Sequence, residues 1–175
     1  MIVQRVSSFF LKKPLLMQGF VSGMIAASGD AICQLVIEGT PIEKYNFLRT
    51  TRFFALGGLL VAPTLYRWFR VLDKIKHGAP YTHPIKRVLV DQLFFSPVFS
   101  VIFLMVLRLL ENRSIDECYA LVSRDWWPLW KTGLMFWPFF QLVNFSIVPI
   151  HYRVVTTNSA GLLWNCYVSY RTQKR

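Results

Sequence analysis

Residues 136–153 read FWPFFQLVNFSIVPIHYR, a stretch that does not suit an ordinary water-soluble helix. Pro138 and Pro149 sit inside an apolar run that also holds Gln141 and Asn144, and no charge occurs between Lys131 and Arg153. Breakers and amides of this kind are tolerated in lipid when neighbouring helices re-satisfy the polar groups they expose. On a helix, Trp137, Gln141, Asn144 and His151 share one face, while Pro138 and Pro149 lie on a neighbouring side and free backbone carbonyls. The expectation is a membrane helix whose amides point toward protein and whose prolines shape it.

The rest of the chain has the same character. Its 175 residues are 54% hydrophobic and 17% charged, against roughly 45–50% and about 25% in an average soluble domain. The length suits one domain, residues 1–175. The net charge of +11 raises the possibility of nucleic-acid binding, but such proteins gather their cations on one solvated face or run. Here Lys and Arg fall in short groups between apolar segments, as at membrane rims, so direct nucleic-acid binding is not expected. Cys33, Cys118 and Cys166 are odd in number and lack CxxC spacing, and His77, His83 and His151 lack a metal spacing. Neither a metal site nor a cofactor is expected. No GxSxG, P-loop, HExxH or paired-carboxylate pattern is present, which argues against an enzyme.

Apolar stretches cover residues 14–37, 53–66, 92–107, 132–150 and 154–170. A span needs roughly 20 apolar residues, and several of these are shorter. The expected fold is all-α, a multi-pass membrane helix bundle with four to five membrane segments. Only HYR separates the last two stretches, which are either two helices with a tight break or one span followed by an interfacial helix. The connections EGTPIEKYN, DKIKHGAPYTHP and ENRSIDECYALVSRDWWP read as turns at the water boundary. Trp68, Trp126, Trp127 and Trp130, with Tyr66, Tyr167 and Tyr170, read as an interfacial aromatic belt. Residues 1–13 form a basic amphipathic arm, with Arg5, Lys12 and Lys13 well before the first acid, Asp30. The arm resembles a mitochondrial targeting segment and equally an interfacial helix end with snorkelling cations. Loop cations are too evenly shared to set the orientation.

Polar residues recur along single faces. Gly19, Gly23 and Ala27 are four apart, a helix-packing pattern, and Asp30 and Gln34 lie within roughly 80° of them. Asn158, Asn165 and Ser169 repeat the arrangement near Gly161. Such stripes are either interhelical glue or the lining of a wet cavity or pore. Asp91, four residues after Arg87, is either a local ion pair or a pore site. Asp30 at membrane depth should be protonated, hydrated, or paired with Arg49, Arg52 or Arg87.

GDAICQ, LRTTRFFALGG followed by APTLYRWF, DQLFFSP, and residues 137–169 resemble, in order, the blocks of the Mpv-seventeen and peroxisomal-membrane-protein-twenty-two family. The most specific part joins Trp137, Pro138, Gln141, Asn144, Phe145 and Pro149 to Trp164 and Asn165. Val168, where the family usually has leucine, is a conservative departure. The resemblance implies a small multi-pass protein of the mitochondrial inner membrane, with the peroxisomal membrane as the alternative. It further implies channel-like, weakly selective passage of small solutes, supporting nucleotide pools and mitochondrial DNA maintenance. A non-conducting assembly protein of an inner-membrane complex is the competing reading. The expected partners are the lipid bilayer, small permeants and further copies of the chain.

Overall fold

A computed structural model describes residues 14–76 and 79–173, all-helical and without strands among them. The basic arm, residues 1–13, and His77 lie outside the described residues. Among those described there are five long helices. Helix α1 runs Pro14–Ile32 and continues as a π-helical turn, Cys33–Ile37. Helix α2 joins Phe47–Ala55 and Ala62–Asp73 through a π-helical segment, Leu56–Val61. Helix α3 joins His83–Val90 and Ser96–Leu110 through Asp91–Phe95, again π-helical. Helices α4 (Ile115–Ile147) and α5 (Arg153–Gln173) complete the bundle.

Two helices are long and apolar enough to cross a membrane by length and composition, Leu15–Ile37 and His83–Leu110. The other three mix charged or amide side chains into their apolar runs, so the expected four to five spans are not established on this measure. The surface is nonetheless apolar around the bundle. Leu59, Leu93, Phe94, Val98, Phe139 and Leu163 are all more than half exposed, far beyond the scattered apolar residues of a soluble monomer.

Each connection has a local cause. Gly39 takes a left-handed φ of 61° just after α1, a conformation glycine adopts without a Cβ clash. Asn46 caps α2, its Oδ1 accepting from the Arg49 backbone N–H at 3.0 Å. The third connection differs from expectation. Only a short turn around Asn112 (φ 59°) separates α3 from α4, and ECYALVSRDWWP is helical. A capping box explains this: the Ser114 side chain accepts from the Glu117 N–H, and the Ser114 N–H donates to Glu117 Oε2 at 3.0 Å. The helix therefore starts well before the apolar run does.

The opening stretch is a single helix only as far as Ile147. Pro138 lies inside α4, whereas Val148 has φ −86° and ψ 123° and ends it. Proline pushes the residue before it out of the helical region, so Pro149 breaks the chain rather than shaping a continuing helix. Arg153 then closes the turn, its guanidinium donating to Val148 O at 3.0 Å and Phe145 O at 3.5 Å. The last two apolar stretches are thus two helices, joined by residues 148–152.

The contact between α1 and α2 is backbone on backbone. A Cβ on Gly57 would stand 2.6 Å from Ser22 O and 2.8 Å from Ala26 Cβ. A Cβ on Gly58 would stand 2.9 Å from Gly19 O, and one on Gly23 would stand 2.9 Å from the Phe54 ring. Gly19 and Gly23 therefore pack as expected, but Ala27 is only half-buried and Ala26 takes its place. Residues four apart drift around a helix with 3.6 residues per turn, which moves the third member of the pattern off the contact. In lipid, close packing of this kind supplies association that the hydrophobic effect does not.

Three apolar clusters tie the helices: Ala26, Phe53, Leu56 and Leu107 across α1 to α3; Leu65, Phe69, Leu72, Phe145 and Val154 across α2, α4 and α5; and Leu104, Val122, Leu129 and Val168 across α3 to α5. The aromatic belt is only partly surface. Trp127 is exposed, but Trp126 Nε1 donates to Ser100 Oγ at 2.9 Å across α3 and α4, and Trp68 points to Asp91. A tryptophan near a segment end satisfies its N–H against a neighbouring helix when that helix offers an acceptor.

Gly57→Ala is expected to lower stability by about 1–3 kcal/mol, the cost of overpacking against fixed backbone, measured by thermal unfolding in detergent micelles. At the start of α4, the Ser114 backbone N–H, helped by its hydroxyl and by Arg113, holds the Glu117 carboxylate below its ordinary value. Because the folded value is the lower one, the cap is intact at neutral pH and is lost as pH falls through that lowered value. Amide exchange at residues 115–118 should accelerate in that acidic range, beyond the intrinsic pH dependence, and Glu117→Gln should abolish the excess.

Candidate functional site: an ionic lock and a central cavity

The sequence-predicted polar residues separate into two sets. Asp30 is fully buried and receives four hydrogen bonds. Its Oδ1 accepts from Arg49 Nε at 2.7 Å and Ser169 Oγ at 2.6 Å, and its Oδ2 from Gln34 Nε2 at 2.8 Å and Thr50 Oγ1 at 2.7 Å. Arg49 in turn grips Glu38 with both terminal nitrogens, each at 2.9 Å. Gln34 Oε1 accepts from the Asn46 N–H at 2.8 Å, which pins the loop before α2. Asp30 is therefore paired with Arg49, one of the three cations the sequence offered. This lock joins α1, α2 and α5 and leaves its carboxylates matched by charged donors.

The second set faces a cavity of about 150 Å³ whose wall draws on all five helices. Of the predicted residues, Asp91 comes from α3, Gln141 from α4, and Asn158 and Asn165 from α5; Ser22 of α1, Gln92, Ser96 and Ser100 of α3, and Thr157 of α5 join them without having been singled out in the sequence. Much of the remaining wall is aromatic, including Phe95, Phe99, Trp130, Trp137 and Trp164. Asn158 Nδ2 donates to Ser22 Oγ across α5 and α1. Asn144 lies fully buried behind Gln141, its Nδ2 donating to Gln141 Oε1 and Thr157 Oγ1, each at 3.0 Å. Gln92 Oε1 and Trp130 Nε1, both on residues of the cavity wall, are buried with no hydrogen-bond partner among the described residues. A cavity this size, with a few polar groups on apolar walls, is suited to a small solute or to several waters.

Asn158, Asn165 and Ser169 share a face yet serve different structures, because eleven residues of helix advance about 16 Å. The first two meet the cavity and the third closes the lock. His151 departs from expectation, being exposed in the turn after α4, since the helix that would have carried it inward ends at Ile147. The ion pair between Asp91 and Arg87 is also not formed. Arg87 donates to Leu72 O at 3.1 Å and pairs with Asp73 at 3.1 Å. Asp91 instead accepts from Trp68 Nε1 at 2.7 Å and Gln92 Nε2 at 2.8 Å. The α-helical turn between Arg87 and Asp91 is intact, the Asp91 N–H bonding Arg87 O, so the pairing fails because α2 offers Arg87 the Leu72 carbonyl and the Asp73 carboxylate.

Two of the motif residues meet between α4 and α5, and a third packs on α2. Trp137 and Trp164 pack edge to face at 5.9 Å, and Phe145 packs edge to face on Phe69 at 5.6 Å. Two ionic contacts had no signal in local spacing. Arg153 reaches Asp73 at 3.3 Å, eighty positions earlier, and Arg108 reaches Asp125 at 2.8 Å. Only a charged residue at each end of an apolar stretch hints at them.

Removing one partner of a buried pair strands the other, at a cost of about 3–5 kcal/mol. Arg49→Ala and Asp30→Asn are both expected to lower the unfolding midpoint in detergent, with Arg49→Ala the more severe because it leaves two carboxylates without their cation. Ion selectivity of any conductance should not change, since the lock is apart from the cavity wall. A stable Asp30→Asn chain with altered selectivity would move Asp30 to the conducting path.

The sequence model of the Mpv17 / PMP22 family matches residues 108–169, which take in the end of α3, all of α4 and most of α5. The mitochondrial inner membrane protein Mpv17 of Caenorhabditis elegans is 38% identical over 161 residues, covering 92% of this chain and 87% of the relative. Its namesake in Mus musculus is 31% identical, with 92% of each chain covered. Protein SYM1 of Saccharomyces cerevisiae is 30% identical over 93% of this chain and 86% of its own. No solved structure matches. Identity at this level over nearly the whole length establishes kinship: the chain belongs to the Mpv17 / PMP22 family, as a protein of the mitochondrial inner membrane.

Proposed function

We propose that the chain is a channel-like protein that lets small solutes cross the inner membrane with weak selectivity. The observation that carries this reading is the convergence of polar side chains from four helices, α1, α3, α4 and α5, on one central cavity whose wall α2 completes with apolar residues. Stripes serving only as glue would spend their polar groups on one another between helices, as Asp30 and Gln34 do within the lock. Ser22, Asp91, Gln92, Gln141, Asn158 and Asn165 instead meet a common space. On this reading four to five helices are membrane segments, with apolar outer faces toward lipid and polar faces turned inward. The role is transport without catalysis, and its contribution to nucleotide pools and mitochondrial DNA maintenance runs through metabolite supply, with no contact to DNA. The conducting unit is either one bundle or a homo-oligomer of it.

Purified protein in planar bilayers should conduct. Gly161 offers a clean perturbation, because a Cβ there meets nothing nearer than Asn165 Nδ2 at 4.0 Å and the residue lines the cavity. Gly161→Phe is expected to fill the space and reduce conductance several-fold while the unfolding midpoint stays near that of the parent. Absence of conductance in the parent, together with copurification of a stable partner complex, would establish the assembly-protein reading instead.

A further inference from the structure

We infer that the central cavity is a binding site for a small organic cation, with Asp91 as its counter-ion. The inference rests on the cavity being the solute path and names the class of solute it holds. Among the described residues of the cavity wall Asp91 is the one titratable side chain, and only 3% of its surface is exposed. Its carboxylate receives two hydrogen bonds, both from neutral donors, Trp68 Nε1 and Gln92 Nε2. A carboxylate offers about four lone-pair sites, so half of its accepting capacity remains. The nearest base along α3, Arg87, is spent on Leu72 O and Asp73. A buried carboxylate with no cation is costly, and two neutral donors offset only part of that cost.

The surroundings select the kind of cation. Gln92 is itself 94% buried, from a relative exposure of 6%, and its Oε1 has no partner. Its amide orientation is settled by chemistry, because the NH₂ group must face Asp91 and the oxygen must therefore face away. An unpartnered acceptor thus belongs to the residue next to the carboxylate, in the same cavity wall. The rings of Phe95, Phe99, Trp130 and Trp137 complete the wall with aromatic surface, which attracts cations through the ring quadrupole. A hard inorganic ion asks for six or more oxygen ligands with carboxylates among them, and the described residues of this wall supply a single carboxylate. An alkylammonium brings its own apolar surface and needs one counter-charge. At about 150 Å³ the cavity matches one known to take benzene, so choline is of the right size.

The test uses full-length protein in lipid nanodiscs and calorimetric titration with choline chloride. Two controls run beside it: the neutral carbon isostere, in which tert-butyl replaces trimethylammonium, and potassium chloride at equal ionic strength. Choline is expected to bind, and both controls to give no saturable heat. Asp91→Asn should weaken choline binding at least about tenfold, and Asp91→Glu should retain it. Equal binding of the isostere, equal competition by potassium, no choline binding by the parent, or choline binding unchanged in Asp91→Asn would each overturn the inference. If Asp91→Asn does not fold, the comparison of choline with its isostere on the parent chain still decides. Binding is read without flux, so the two readings fail separately. A chain that conducts in bilayers but does not bind choline overturns the inference and leaves the channel standing, while choline binding through Asp91 without conduction supports the site and removes the channel.

Discussion

The pairing of Asp30 with Arg49 organises the bundle because a carboxylate with no solvent exposure must find its charge partner inside the protein. Arg49 enters from the first turn of α2, and Ser169 reaches in from the last turns of α5. Two consecutive helices and a third from the far end of the chain are thereby fixed at one level along α1. The pair is a poor source of net stability compared with an apolar replacement, but it tolerates few alternative registers. Glu38 and Gln34 extend the same constraint to the loop between α1 and α2.

From that level the rest of the packing follows. With α1 and α2 held together at the lock, Gly57 and Gly58 meet Ser22 and Gly19, where no side chain would fit. A second ionic cluster, Asp73 with Arg87 and Arg153, ties the opposite end of α2 to α3 and to the start of α5. Arg153 also satisfies the last carbonyls of α4, so one guanidinium closes a helix and joins two others. Charge is concentrated at the two ends, and between them the polar groups are mainly hydroxyls and amides. There the bulky rings of Phe99, Trp130 and Trp137 line the opening, and the central cavity remains between the helices.

Helix faces carry two functions by depth. On α1, Ser22 meets the cavity and Asp30 the lock, and on α5 Asn158 and Ser169 divide in the same way. Asp91 is the exception to the separation of charge from cavity. It opens a π-helical turn one regular α-turn after Arg87 and stands in the cavity wall, with Trp68 and Gln92 as partners. Such turns occur in three of the five helices, and the one in α2 carries the glycines of the closest contact.

The all-helical class, the five apolar stretches, the inward amides and the glycine contact were legible in the sequence because each depends on periodicity within one helix. Asp30 could be assigned a short set of cations for the same reason, since a buried carboxylate announces its need for a partner. Which cation answers, Arg49 and not Arg52 or Arg87, depends on how helices stack, and only the tertiary structure decided it. The end of α4 before His151 and the early start at Ser114 were decided by local backbone chemistry that hydropathy hides, a residue forced out of helix before Pro149 and a reciprocal cap. The split of one polar face into lock and cavity was invisible as well. Helical spacing reports direction around an axis, whereas burial in one structure or another is set by depth against neighbours that the chain supplies from far away.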